Sequence, residues 1–376
     1  MTRFLRWHPA WEGVLGFDEF RVRVVIRRPP PWGPEASDTP WTDHHESLTR
    51  IWFQHEGIFA NLGDVGRAVQ AAARHNSFHP VRDYFDGLVW DGTPRLGRWL
   101  VTYFHADDTP YVRAIGPRWL MSSPARVYRP GCQVDHTLVL EGQQGRLKSQ
   151  ALRALSKDQS WFTDRLSHIG SIDAAIEIAG IQIVELAEMA ALAKAASSTS
   201  KSYLTRQQDR FRPPYGKHTI NLRRQCVFAA TINPPAGGYL KDPTGARRFW
   251  PVACHGMIDR DGIERDRDQL WAEAVVLFKA GAPWWLETQE LEDLATAEQA
   301  TRFKVDIWQE TVEEWLGERK DVSIPEVLEH ALEIAPQEVT RSAEMRVASI
   351  LTNLGFTQYR PNRCDKRSRR RRYHRD

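Results

Sequence analysis

The stretch Glu141-Gly142-Gln143-Gln144-Gly145-Arg146-Leu147-Lys148-Ser149 holds the residue types that grip a phosphate. In the pattern G-x-x-x-x-G-K-[ST], backbone N–H groups cradle the phosphates, the lysine reaches their outer oxygens and the hydroxyl binds Mg²⁺. Gly142, Lys148 and Ser149 fall in register. The second glycine does not, because Leu147 occupies its place and Gly145 lies two residues earlier. By itself such a degenerate loop is also the mark of an ordinary turn. Phosphate chemistry further needs a carboxylate for the metal shell and another to activate water. Ile183-Val184-Glu185-Leu186-Ala187-Glu188 offers both, with Glu185 read as the metal-side acid and Glu188 as general base, although acids are also at home at the start of a solvated helix. Asn233 could orient the water or sense the terminal phosphate, and it could equally be a turn residue before Pro234-Pro235. Arg247 and Arg248 flank an aromatic pair and suit an arginine supplied to a neighbouring subunit's site, or a pair of surface ion pairs.

These side chains need strands that end where the chemistry is. Thr137-Leu138-Val139-Leu140 reads as a short apolar strand entering the glycine loop, and 150–155 as the helix leaving it, with Leu152 and Leu155 on one face. A second strand, Ile181-Gln182-Ile183-Val184, runs up to Glu185. A third, Val227-Phe228-Ala229-Ala230-Thr231-Ile232, ends at Asn233. Strands alternating with helices predict an α/β fold with a mostly parallel sheet, here a P-loop, AAA+-like core. Between the second and third strands, the prolines and glycine of 210–218 suggest a projecting turn. Residues 1–125, with Arg21-Val22-Arg23-Val24-Val25-Ile26 as a strand and turns at Asp91-Gly92 and Thr109-Pro110, read as a mainly helical N-terminal domain. The core is placed at 126–300. From 301 to 376 the pattern is helical, with Trp308, Val312 and Trp315 as a core stripe, two more helices and a basic pair of strands, the order of a winged helix.

Length allows two or three domains. Hydrophobic residues make up 41% and charged residues 26% of 376, which excludes a disordered chain. Apolar runs such as Val275-Val276-Leu277-Phe278 are too short to span a bilayer, and the first residues lack an apolar leader, so a cytoplasmic protein is expected. Four cysteines without C-x-x-C spacing argue against a zinc site or disulfide framework. Net charge is +3, yet residues 360–375 hold nine Lys/Arg against one Asp, leaving 42 basic and 46 acidic residues over 1–359. That tail, including Arg369, Arg370, Arg371 and Arg372, would meet a polyanion such as duplex DNA, or remain a solvated arm.

The order and wording of these motifs resemble the virulence-associated protein E family of phage and genomic-island replication proteins, themselves similar to superfamily 3 helicases. The carrying residues run from His79-Pro80-Val81-Arg82-Asp83-Tyr84 and Trp90-Asp91-Gly92-Thr93-Pro94 through Leu138 to Ser149, Val184 to Glu188, Asp209 with Phe211-Arg212-Pro213-Pro214-Tyr215-Gly216, and Thr231-Ile232-Asn233. Thr244-Gly245-Ala246-Arg247-Arg248-Phe249-Trp250-Pro251-Val252 completes the set. The resemblance implies an ATP- and Mg²⁺-dependent DNA translocase working as a hexameric ring around single- or double-stranded DNA, with a primase or other replication proteins as partners. It assigns phosphate contacts to Gly142, Gln143, Gln144, Gly145, Arg146, Lys148 and Ser149, the metal to Ser149 and Glu185, the sensor role to Asn233 and the finger to Arg247 or Arg248. Lys217-His218 matches the pair that such helicases carry into the pore on a hairpin. Two departures, Leu147 for glycine and Glu185 for aspartate, leave a second expectation: a hydrolysis-deficient DNA-binding initiator or regulator that keeps the fold. An RNA-directed or signalling ATPase is a third, opposed by the hairpin and the paired arginines.

Overall fold

The computed structural model describes residues 1–167, 169–187, 202–212, 219–234, 238–240, 246–303, 306–359 and 372–375. The chain divides into two compact units, one of residues 1–234 and 245–299, the other of 235–244 and 300–376.

The first unit begins with a small layer of its own. Strands β1 (Leu15–Asp18), β2 (Arg23–Ile26), β3 (Thr39–Pro40) and β4 (Ser77–Phe78) form a sheet in the order β3-β2-β1-β4. Helices Asp43–His55 and Leu62–Ala73 accompany it, and Leu5, Trp11, Leu15, Phe17, Phe53, Val65 and Val69 make one buried cluster. The expected mainly helical domain therefore contains a sheet. Strands of two residues, such as β3 and β4, are too short to carry the alternation that a sequence reading depends on.

The larger core is built on β5 (Thr137–Glu141), β6 (Phe162–Thr163), β7 (Ile183–Ala187), β10 (Val227–Ile232) and β11 (Phe249–Ala253), reached after the hairpin strands β8 (Gln208–Phe211) and β9 (Ile220–Arg223). All five core strands are parallel, in the order β11-β5-β10-β7-β6. Every residue of β5 and β10 is buried, as expected of parallel strands covered on both faces. Pro251 explains why β11 lies at the edge: it has no N–H to give a second neighbour. Helix Pro110–Tyr128 packs on this sheet, with the Trp119 indole donating to the Phe228 carbonyl at 2.9 Å. Helix Arg260–Lys279 is tied to the chain after the loop helix by Trp271, whose indole donates to Leu155 O at 2.7 Å. Truncating the fully buried Trp271 would remove roughly 3–5 kcal/mol.

One cluster joins Val81, Phe85, Trp99, Ile115, Trp119 and Leu120 to Leu138, Leu140, Leu152, Ala229 and Trp271. Packing thus runs straight across the expected boundary at 125/126. The helices that were assigned to an N-terminal domain are the cover of the sheet.

The second unit contains helix Gln309–Leu316, β12 (Asp321–Ser323), helices Ile324–His330 and Arg341–Asn353, β13 (Thr357–Tyr359) and β14 (Arg372–His374). Its sheet is antiparallel in the order β12-β14-β13. Val312, Val322, Val327, Val347, Ile350 and Tyr373 form the core, with Trp308 and Trp315 partly buried against it. Among the described residues no helix is long and apolar enough to cross a membrane.

Candidate functional site

In an open α/β sheet, ligands gather beyond the carboxyl ends of the strands. The glycine loop leaves β5 at that edge. Gly142 N donates to Ile232 O of β10 at 3.1 Å, and Cys254 N, just past β11, donates to Glu141 O at 2.7 Å. A Cβ on Gly142 would lie 3.0 Å from the Cys254 carbonyl, so a side chain there would push β11's end away from the loop.

The loop turns with two residues in the left-handed region: Gly145 at φ +81° and Leu147 at φ +67°, ψ +16°. The sequence pattern fails at Leu147, and the leucine takes a left-handed backbone that favours glycine, at a conformational cost of about 1–2 kcal/mol. Its half-buried side chain packs on the main core. Helix Lys148–Ala154 follows directly.

Lys148 is 8% exposed, and its ammonium donates to Gly142 O at 2.6 Å and Gln143 O at 2.8 Å. Burial lowers its pKa, a shift that Cys254 and Glu185 oppose. Two carbonyls thus hold the cation at the centre of the loop. Ser149 Oγ donates to Glu185 Oε1 at 2.6 Å, and Thr231 Oγ1 donates to the same oxygen. Glu185 is 1% exposed and its other oxygen, Oε2, is buried with no hydrogen-bond partner among the described residues. A buried, half-satisfied carboxylate is expensive to maintain and calls for a missing donor or cation.

A cavity of about 480 Å³ opens above these groups, lined by Gln144, Gly145, Arg146, Lys148, Ser149, Thr231 and Asn233, among others. Gln143 does not line it, but its side-chain oxygen accepts from the lining Arg146 at 3.0 Å. The residues expected to contact phosphate and metal, together with Asn233, are therefore brought to one place. Thr231 was quoted in the sequence but given no role. The signal was a lone hydroxyl in the otherwise apolar Val227–Ile232.

Arg247 and Arg248 lie elsewhere. They precede Phe249, which pairs with Thr137 at the opposite end of β5 from the loop, and Thr137 N donates to Arg248 O at 2.6 Å. A strand of five residues puts them roughly 16 Å from their own chain's loop. Arg372, expected on DNA, is held by Asp321 at 2.9 Å and Glu326 at 3.5 Å. Glu188, Lys217, His218, Arg369, Arg370 and Arg371 lie outside the described residues.

The arms that flank 213–218 are described. β8 and β9 are antiparallel, from Gln208↔Arg223 to Phe211↔Ile220. At their base Arg224 grips Asp209 with two hydrogen bonds of 2.6 and 2.9 Å, both side chains buried. Its guanidinium also lies over the Tyr203 ring at 4.1 Å.

The sequence profile of the virulence-associated protein E-like domain matches residues 85–304. No curated protein matches the sequence. Among solved structures, an apo form of the C-terminal region of NrS-1 is 12% identical, with 96% of each chain covered and a TM-score of 0.50. Two further apo structures of that region give TM-scores of 0.48, at 11% identity over 96% and 95% of the two chains, and 0.47, at 12% over 92% and 84%. At such identity the first likeness concerns the fold alone.

Proposed function

The chain belongs to the virulence-associated protein E-like family, and from that premise we propose that it is an ATP- and Mg²⁺-dependent DNA translocase of phage or mobile-element replication, working as a ring. The observation that carries this reading is Glu185: a buried carboxylate shared by the Ser149 and Thr231 hydroxyls, with one oxygen unmatched, beside a loop lysine. Mg²⁺ keeps most of its waters and binds proteins through one or two carboxylates plus substrate phosphates. Ser149 and Glu185 fit that demand, and the described residues hold no His/Cys/Asp/Glu cluster suited to any other metal.

Bound Mg²⁺ would neutralise charge on the outer phosphates during hydrolysis. The chain's own groups then have separable tasks. Lys148 exchanges the carbonyls of Gly142 and Gln143 for phosphate oxygens, with little loss of order because it is already confined. Thr231 and Ser149 hold Glu185 Oε1, which leaves Oε2 for the metal shell. Asn233, at the end of β10, holds the attacking water, and Glu188 takes its proton. Arg247 or Arg248 serves the site of the adjacent subunit, which is the role their distance from their own loop allows. Leu147 supports the hydrolysing reading over an inactive scaffold, since it takes the left-handed backbone that glycine favours. The helix-strand-helix-helix-strand-strand order of the second unit supports a winged helix for duplex contact, and the β8–β9 arms support a pore hairpin tipped by Lys217 and His218.

The test is ATP hydrolysis with and without single-stranded DNA. Stimulation by DNA in the wild type and loss of turnover in Lys148→Ala are expected. Absence of any DNA-stimulated turnover would remove the translocase. Mixing in Arg248→Ala subunits should depress activity more than dilution does, and a proportional fall would contradict a finger acting between subunits.

A further inference from the structure

The outer face of the small N-terminal sheet carries a row of arginines that the ATPase reading does not use. Arg21, Arg23, Arg27, Phe78 and Ser160 line a cavity of about 320 Å³. Arg6, Arg27, Arg28 and Phe78 line a second of about 430 Å³. Arg27 and Phe78 belong to both, so the two form one groove.

The row is built in advance. Arg28 lies against Gly13, where a Cβ would come within 3.1 Å of its Cδ, and Arg27 lies across Gly16, where a Cβ would come within 2.7 Å of its Cγ. Arg21 crosses Gly180, which likewise has no room for a side chain. Three arginine stems thus rest on glycines, and the Arg27 guanidinium sits 4.0 Å from the centre of the Phe78 ring. Val22, between Arg21 and Arg23, is held at φ +55°, a strained conformation for a β-branched residue. Asp18 braces that turn by accepting from the N–H groups of Phe20 and Arg21, both at 2.9 Å.

Carboxylates offset part of the charge. Asp18 and Asp158 pair with Arg21 at 3.0 and 3.3 Å, Asp38 with Arg27 at 2.8 Å, and Glu12 lines the second cavity. Arg23 has neither an ion pair nor a hydrogen bond on its guanidinium among the described residues. Burial and the like charge of Arg21 lower its pKa, against the pull of Asp18. A cation left unpaired among cations favours an incoming anion.

We propose that this groove binds the phosphodiester backbone of DNA, as a site separate from any pore, with Arg23, Arg27 and Arg28 each contacting a phosphate and Phe78 bracing Arg27. Arg23 and Arg27, four positions apart, lie about 13 Å apart along the extended chain, so the row follows an extended backbone, and contacts of this kind read no sequence. The site goes beyond the ATPase reading and does not depend on hydrolysis.

Binding of the full chain to a labelled oligothymidylate is measured by anisotropy across a salt series without nucleotide, in the wild type and in Lys148→Ala. A failure of the ATPase reading leaves this measurement intact. The variant R23Q/R27Q/R28Q should bind roughly 10- to 100-fold more weakly, and the slope of log affinity against log salt should fall by about 2, from about 0.7 per lost contact. Arg23→Gln alone, which breaks no ion pair, should reduce the slope by about 0.7 with an unchanged melting temperature. It decides the matter if the triple variant is unstable. A wild-type slope in Arg23→Gln, or no binding by the wild type, would overturn the proposal. Equally tight binding of poly-glutamate, lost in the same variants, would assign the groove to an acidic protein instead.

Discussion

Replacing Leu147 with glycine tests whether the loop is intact or obstructed. Leu147 stands at φ +67°, so glycine would relieve about 1–2 kcal/mol of left-handed strain. Glycine's greater freedom in the unfolded chain takes back about 0.5–1 kcal/mol. Losing a half-buried leucine side chain from the core removes about 1 kcal/mol more. The three contributions nearly cancel, so stability in urea should stay within about 1 kcal/mol of wild type. Because the leucine already holds the glycine-like backbone, a fluorescent ATP analogue should bind Leu147→Gly within about three-fold of wild type. Leu147→Ile is the opposite perturbation. A branch at Cβ in this region should destabilise by roughly 1–2 kcal/mol and weaken nucleotide binding. Nucleotide binding ten-fold tighter in the glycine variant would refute the reasoning and make Leu147 a plug. An isoleucine variant as stable as wild type would refute the assigned conformation.

Two further outcomes follow from buried charge. Arg224→Leu leaves the buried Asp209 carboxylate with the more distant, part-exposed Arg206 at 3.5 Å, so unfolding in urea should show a loss of about 3 kcal/mol, with much of it restored by Arg224→Leu/Asp209→Leu. A loss below about 1 kcal/mol would show that the pair is solvated. His136 is fully buried and stacked on Trp250 at 3.7 Å, and burial first, then Arg126, lowers its pKa from 6.5 to about 3. The unfolded chain takes up this proton first as pH falls, so stability present above pH 6.5 is lost downward, by roughly 3 kcal/mol near pH 4. His136→Phe should flatten that acid limb in melting curves, and an unchanged limb would exclude His136 as its source.

Much of the site was legible because its parts sit where long apolar runs end. Val227 to Ile232 is a strand in both sequence and structure, since a fully buried parallel strand needs uninterrupted apolar residues. The loop and its helix were legible from Gly142, Lys148 and Ser149. The state of Leu147 was not, because a residue's letter gives its preference while its neighbours decide the conformation taken. Nor could the sequence reveal that Cys254 crowds Gly142, or that Thr231 shares Glu185, as these contacts join residues about 110 and 46 positions apart. The helix Pro110–Tyr128 contains Pro117 and Pro124 and yet continues through both.

Only residues 224–226 separate β9 from β10, and that short link is pinned at two points. Arg224 is clamped to Asp209, and the Gln225 Oε1 accepts from His79 Nε2 at 2.6 Å. Beyond the link, β10 is laddered on both sides and reaches the loop cavity at Ile232 and Asn233. One stiff strand of about 20 Å therefore runs from the pinned link to the cavity, and the base of the hairpin arms is joined to the cavity through backbone alone.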